Sequence, residues 1–250
     1  MCAMANDAAR ISVIVPSWND ADDLAILLPK LRGAAECLET IIVDASADAA
    51  SESIAREHNS AFFTCAVPSR GAQMNLGTQS ARGDVLLFQH ADTDITAAHL
   101  RAILAAMRDP EVVGGAFYRK FDDRHPRLMW LEPLARFLTR NGGTLFGDQS
   151  VFVRRDVFLR LGGFAEIPLM EDVEFSRRLR ATGKVVVLDP PVQTSSRRHL
   201  REGAWRKTIQ NALIILLYKL GVSPERLHRW YYKGRQSGRA RSAPREALSS

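Results

Sequence analysis

A chain of 250 residues with 46% hydrophobic and 25% charged content can fill one α/β core plus a small appendage, which excludes fibrous and wholly disordered classes. Three scattered cysteines (Cys2, Cys37, Cys65) show neither metal-ligand spacing nor an even disulfide framework, so a reducing cytoplasm is expected. The formal charge of +6 is uneven: residues 197–250 hold 13 Lys/Arg against 3 Asp/Glu, or +10, leaving −4 for residues 1–196.

Ile11–Val15 is a β-branched run ended by Pro16 and predicts a buried strand. Asn19 and Asp20 can cap a helix with Leu24, Leu27, Leu28 and Leu31 on one face. Strands are predicted over Thr40–Val43 and Ala61–Thr64, with a helix over Ser51–His58 between them. A helix follows over Gly71–Ala81, then a strand over Val85–Phe88, a helix over Thr96–Met107 and a strand over Val112–Phe117. Pro126–Thr139 reads as helical, Gln149–Val153 as a strand and Asp156–Leu161 as a short helix. Glu171–Ala181 is predicted helical and Val185–Leu188 a strand that ends before Pro190-Pro191. Such alternation predicts an α/β fold with a mostly parallel central sheet flanked by helices. From about residue 203, Ile209, Ala212, Leu213, Leu216, Leu217 and Leu220 keep helical spacing among basic residues. The expected organisation is a catalytic domain over 10–200, a C-terminal amphipathic helical extension over 201–235 and a disordered basic tail over 236–250.

No stretch reaches the ~20 apolar residues of a membrane span, and no secretory leader is expected, since a basic segment followed by an apolar run is missing at the start. The basic end suits an anionic partner (phosphate, a lipid surface or nucleic acid) or is a solvated charged tail. Aromatic residues interleaved with the tail are few beyond Trp230, Tyr231 and Tyr232, so specific nucleic-acid binding is not expected.

In open α/β sheets ligands bind at the carboxyl ends of strands. After the first strand stands Pro16-Ser17-Trp18-Asn19-Asp20; after the second, Asp44-Ala45-Ser46-Ala47-Asp48; after the third, Pro68-Ser69-Arg70-Gly71; after the fourth, His90-Ala91-Asp92-Thr93-Asp94. Carboxylates collected near an arginine suit a divalent metal and a phosphorylated ligand. Neither GxGxxG after the first strand nor GxxxxGK[ST] occurs, which excludes a Rossmann dehydrogenase and a P-loop enzyme.

The ordered set Ile11–Asn19, Ile41–Ser46, Arg70-Gly-Ala-Gln-Met-Asn75, His90-Ala-Asp-Thr93 and Met170-Glu-Asp172 resembles the bacterial family 2 glycosyltransferases with the GT-A fold, over roughly residues 10–200. Arg70-Gly71 with His90-Ala91-Asp92 looks like a subgroup labelled arsenosugar-biosynthesis glycosyltransferase. The resemblance implies an inverting transferase that moves one sugar from a nucleotide-diphosphate sugar to an acceptor hydroxyl with Mn²⁺ or Mg²⁺. It places Pro16, Ser17, Asn19, Asp44, Asp48, Arg70 and Asp92 at the nucleotide, and Asp92 at the metal. It makes Asp172, beside Glu171, the base that deprotonates the acceptor. Where the family has the first carboxylate of Asp-x-Asp, this chain has His90, which suits Mn²⁺ better than Mg²⁺. His199 is a further candidate ligand. Gly147, Asp148 and Gln149 are candidates for the sugar or acceptor pocket, and Arg197 and Arg198 for the pyrophosphate. The Gln-x-x-Arg-Trp motif of processive synthases is missing, so single transfer is expected over polymerisation.

Blander roles stand beside these. Asp44 can cap a helix, Glu171-Asp172 can favour a helix N-terminus by ~0.3–1 kcal/mol each, and Trp18 is expected to pack in the core. The acceptor is open between a small molecule and a lipid-linked one, and a cytoplasmic protein touching the inner face of an anionic membrane is one expectation. Two other functions compete: a sugar-nucleotide nucleotidyltransferase, which needs a Gly-rich basic loop after the first strand, and a catalytically silent membrane-associated binding protein.

Overall fold

A computed structural model of the protein describes residues 9–46, 48–121, 136–137, 139, 142–194 and 204–239. Its elements are β1 (Ile11–Ser17), α1 (Ala21–Arg32), β2 (Cys37–Asp44), α2 (Ala49–Glu57), β3 (Ala61–Thr64), α3 (Arg70–Ser80), β4 (Val85–Phe88), β5 (Thr93–Asp94) and α4 (Ala97–Ala106). Then come β6 (Val112–Phe121), a 3₁₀ turn at Gly147–Gln149, β7 (Val151–Arg154), α5 (Arg155–Arg160), α6 (Glu171–Arg180), β8 (Lys184–Thr194), α7 (Ala204–Lys219) and α8 (Pro224–Arg239).

One sheet runs in the order β3-β2-β1-β4-β7-β6-β8-β5. β1, β2, β3 and β4 pair in parallel, as do β6 and β8. β7 reverses between β4 and β6, and β5 closes the edge antiparallel to β8. The strands alternate between two cores. Val13, Val15, Ile42, Val85 and Leu87 meet the leucines of α1 with Ala55, Leu100 and Ile103 on one face. Ile14, Ile41, Val43, Leu86 and Phe88 meet Met74, Val157, Phe158, Phe175 and Leu179 on the other. Strands buried on both faces read as continuous apolar runs, which is why β1, β2 and β4 are visible in the sequence. Leu24, Leu27, Leu28 and Leu31 are all buried, as their spacing predicts, and each contributes ~1.5–3 kcal/mol.

Some boundaries differ from the expectation. β1 continues through Pro16 to Ser17, because its ladder with β4 ends at Ile14 and Pro16 has no donor to supply there. β8 does not stop before Pro190-Pro191. Its pairing with β6 steps from Phe117↔Leu188 to Arg119↔Val192, so a bulge carries both prolines out of the ladder. The strand predicted from Gln149 begins at Val151, after the 3₁₀ turn and the left-handed Ser150 (φ 52°). The helix predicted over Pro126–Thr139 falls outside the described residues except at 136–137 and 139, where the chain is helical. At the C-terminus a second helix, α8, runs to Arg239 and takes in residues 236–239, which the sequence suggests are tail. Residues 240–250 lie outside the described ones.

Topology brings the site together. Antiparallel pairing sets Phe88 at the end of β4 against Val151 at the start of β7. The segment after β4 therefore lies beside the 3₁₀ turn, and Ser150 Oγ donates to Gln89 Oε1 at 2.7 Å to join them.

Candidate active site

The motif Arg70–Asn75 is the frame of the site. Gln73 is buried, and its Nε2 donates to Ser17 O (2.9 Å) and Val43 O (2.8 Å), tying α3 to the ends of β1 and β2. Asn75 clasps Phe164 from both sides: Nδ2 donates to Phe164 O, and Phe164 N donates to Asn75 Oδ1, each at 2.9 Å. A Cβ on Gly71 would stand 2.7 Å from Ala165 O, so only glycine lets α3 approach that backbone. Arg70 is thereby held at the start of α3, facing the start of α6.

Around Arg70 lies a pocket that has Met74, Phe88, Leu145, Phe164 and Phe175 as its apolar floor, with His90, Gly147, Glu171 and Asp172 at its polar end. Asp172 Oδ2 accepts from Gly147 N at 2.9 Å, and Oδ1 accepts from Val173 N at 2.7 Å. A side chain at Gly147 would stand 3.0 Å from His90 Nε2 and 3.8 Å from Asp172 Oδ2, so this glycine keeps the space between them open. Asp148 forms an ion pair with Arg119 of β6.

These carboxylates differ in charge behaviour. Burial, reinforced by the charge of Asp172, pushes Glu171 up to about 7, against the pull of Arg70. Asp172 is raised too, by burial and by Asp148, against the Gly147 and Val173 N–H groups and Arg70. Burial works in the same sense on Asp148, but Arg119, His90 and Arg70 outweigh it and hold its carboxyl below the usual range. Carboxyls pushed in opposite directions, Asp148 below and Glu171 above the usual range, are an arrangement suited to proton transfer.

The nucleotide candidates sit elsewhere, at the ends of β1 and β2. Asp44 is fully buried. Its carboxylate accepts from Ser46 N (2.9 Å), Ser46 Oγ (2.8 Å) and Asp48 N (3.4 Å). Asp48 is the N-cap of α2 and accepts from Ala50 N at 3.0 Å and Ser51 Oγ at 3.3 Å. Capping therefore falls to Asp48 rather than Asp44. Asn19 takes a left-handed conformation (φ 56°), and Asp20 holds Trp18 N instead of capping α1 with its side chain. Ser17 Oγ is buried and has no hydrogen-bond partner among the described residues. Trp18 does not pack in the core as expected; it is 54% exposed, because the turn at Asn19 carries it outward from β1.

Metal fit rests on Asp92 and His90, both in the turn after β4 and both partly exposed. Among the described residues no three His, Cys, Asp or Glu side chains converge as a metal cluster. A carboxylate and an imidazole nonetheless suit Mn²⁺, and ions of this class commonly take one or two protein ligands with the remainder from substrate phosphate. The residues present fit that open kind of site. His199, Arg197 and Arg198 lie outside the described residues. Gln149 is buried in the 3₁₀ turn, with Oε1 accepting from Phe146 N, and is a support for the turn rather than a lining residue. Arg119 is the participant that sequence reasoning missed, since a basic residue on a strand carries no signal without its partner.

Comparison with known proteins agrees with this architecture. A mannosyltransferase from Pyrobaculum calidifontis, solved with GDP-Man and Mn²⁺, superposes with TM-score 0.64 at 18% identity over 96% of this chain and 77% of that one. TarS of S. aureus solved with UDP gives TM-score 0.59 at 21% identity over 74% of this chain and 60% of that one. Its complex with UDP-GlcNAc gives 0.58 at 19% identity, over 75% and 59%. Identities this low show a shared fold, the GT-A glycosyltransferase fold. No curated protein sequence matches significantly. The model of the family described as Glycosyl transferase family 2 matches residues 12–162, more than half of the chain. On that match the protein belongs to the family 2 glycosyltransferases.

Proposed function

We propose that the protein is an inverting, metal-assisted glycosyltransferase that moves one sugar from a nucleotide-diphosphate sugar to an acceptor hydroxyl, with Asp172 as the base. The observation that carries this is the placement of Asp172. Its carboxylate is held by Gly147 N at the polar end of a pocket shared with Arg70 and His90. Arg70 adds positive charge where a diphosphate would gain negative charge on leaving. Asp92 with His90 would hold the Mn²⁺ or Mg²⁺. When bound, the ion supplies Lewis-acid neutralisation of the leaving diphosphate. Asp172 takes the proton from the acceptor hydroxyl, worth ~10²–10⁴-fold, and Glu171 behind it holds or releases a proton as Asp172 changes charge. Attack from the side opposite the leaving group inverts the anomeric centre.

The loops after β1 and β2 receive the nucleoside in this reading. The exposed Trp18 ring offers it a stacking contact, with Ser17, Asn19, Asp44 and Asp48 in the same two loops. The GDP-Man and UDP complexes of its structural neighbours support a nucleotide-sugar donor and suggest which donors to try first. The acceptor is a small or lipid-linked hydroxyl compound, and the subgroup resemblance of Arg70-Gly71 and His90-Ala91-Asp92 makes an arsenosugar precursor one to include. A cytoplasmic location belongs to the same proposal.

Release of nucleoside diphosphate from GDP- and UDP-sugars with Mn²⁺ tests the assignment. The wild-type protein should release it with one of them, and Asp172→Asn should be slower by about 10²–10⁴-fold. Equal release by both proteins would remove Asp172 from the role of base.

A further inference from the structure

The two C-terminal helices carry features the transfer chemistry does not use. Ile214 of α7 and Leu227 of α8 are buried. The opposite side of α7 presents Leu213 (40% exposed), Leu216 (53%) and Leu220 (72%), spaced by three and four residues along one stripe. Trp230 of α8 is 44% exposed. Lys219, Arg226 and Arg229 are exposed in the same two helices. Over residues 204–239 the chain has eight Lys/Arg and one acidic residue, Glu225.

An apolar stripe with an exposed Trp and exposed cations on the same two helices has the composition of a helix surface that lies in a lipid headgroup layer. None of the described helices is long and apolar enough to cross a membrane. Charge decides among occupants. A second copy of this chain would bring an equally positive face against the first, which repels. Nucleic acid would satisfy the cations but leave three exposed leucines without an apolar partner. An anionic bilayer satisfies both.

The location adds a consequence. Tyr218, on the inner side of α7, lies within the electrostatic reach of Glu174, Arg177 and Asp172 of α6. α7 therefore runs on the side of the molecule that holds the helix bearing Asp172.

We infer that the outward face of α7 and α8 docks on an anionic lipid surface and that the acceptor reaches the cleft from that surface. The second half rests on the glycosyl-transfer proposal; the first does not. The experiment is sedimentation of the full chain with phosphatidylcholine vesicles, and with vesicles containing roughly 30 mol% phosphatidylglycerol, at low and high salt. Binding should be at least about tenfold stronger to the anionic vesicles and should weaken with salt. The pairs Leu216→Glu/Leu220→Glu and Arg226→Glu/Arg229→Glu should each reduce it about tenfold or more, with the unfolding temperature unchanged as the check on folding. Equal binding to both vesicle types, or binding that survives both variants, overturns the inference. A dimer in solution that is lost in Leu216→Glu/Leu220→Glu overturns it in favour of a second copy. Vesicle binding by a chain that shows no affinity for nucleotides would leave docking in place and sink the transferase proposal instead.

Discussion

Two acidic regions, the loop after β2 and the start of α6, are built differently. In the loop after β2, Asp44 and Asp48 spend their oxygens on the loop itself, on Ser46, on the Asp48 N–H and on the first turn of α2. At the start of α6, Glu171 and Asp172 have one another, Arg70 and the Gly147 and Val173 N–H groups. Carboxylates of the first kind fix a backbone. Those of the second kind have an open pocket before them and a raised affinity for a proton. The residue type is shared, and the division of labour comes from whether local donors are plentiful.

The largest effect that could break this comparison is at Asp172. Asp172→Asn keeps the size, though its amide nitrogen must face one of two backbone N–H donors, Gly147 or Val173; it should cost about 10²–10⁴ in kcat, measured where thermal unfolding shows the variant folded. A matching loss from Asp48→Ala, with the protein still folded, would erase the distinction between the two regions.

The pH dependence of stability sharpens it. Glu171 is raised from 4.5 to about 7 in the folded protein. Its contribution is therefore fully present below about pH 4.5 and is lost as pH rises through 7, since the unfolded chain ionises more readily. Glu171→Gln should remove that decline, leaving the variant more stable than the wild type near pH 8. Parallel curves for the two proteins in chemical denaturation would contradict the proton affinity assigned to Glu171.

Smaller effects belong to the structural loop. Asp44→Ala strands the Ser46 and Asp48 donors and should destabilise by about 1–3 kcal/mol. Asp48→Ala removes an N-cap and should cost about 1 kcal/mol. If nucleotide affinity is unchanged in Asp48→Ala, its role ends at the cap. Smallest of all, breaking the exposed Asp156–Arg160 pair on α5 should change stability by less than about 0.5 kcal/mol, which calibrates the others.

Legibility in the sequence followed burial. β4, buried along its length, lies where its apolar run predicts, and the leucines of α1 declare their face. β5 has two residues and no pattern to see. β8 hides its second half because Pro190-Pro191 ordinarily argues against a strand, and only the bulge opposite Phe117–Arg119 reconciles them. α8 carries its own start signal, a proline at its first position after Ser223. In the site, the motif Arg70–Asn75 was visible, but not the reason for it. Gln73 ties two strand ends and Asn75 clasps a residue 89 positions away. Arg119 was silent because its meaning is its partner, Asp148, brought across from a different segment.

Thermal unfolding with UDP or GDP, each with Mn²⁺ or with EDTA, tests the central claim most directly, for the wild type and for Asp92→Ala. The account predicts stabilisation by one nucleotide that requires Mn²⁺, about 2.7 kcal/mol at a hundredfold excess over Kd, and its loss in Asp92→Ala. No shift with either nucleotide at millimolar concentration, or a shift that is unchanged by EDTA and by Asp92→Ala, would contradict a metal-assisted nucleotide-sugar site.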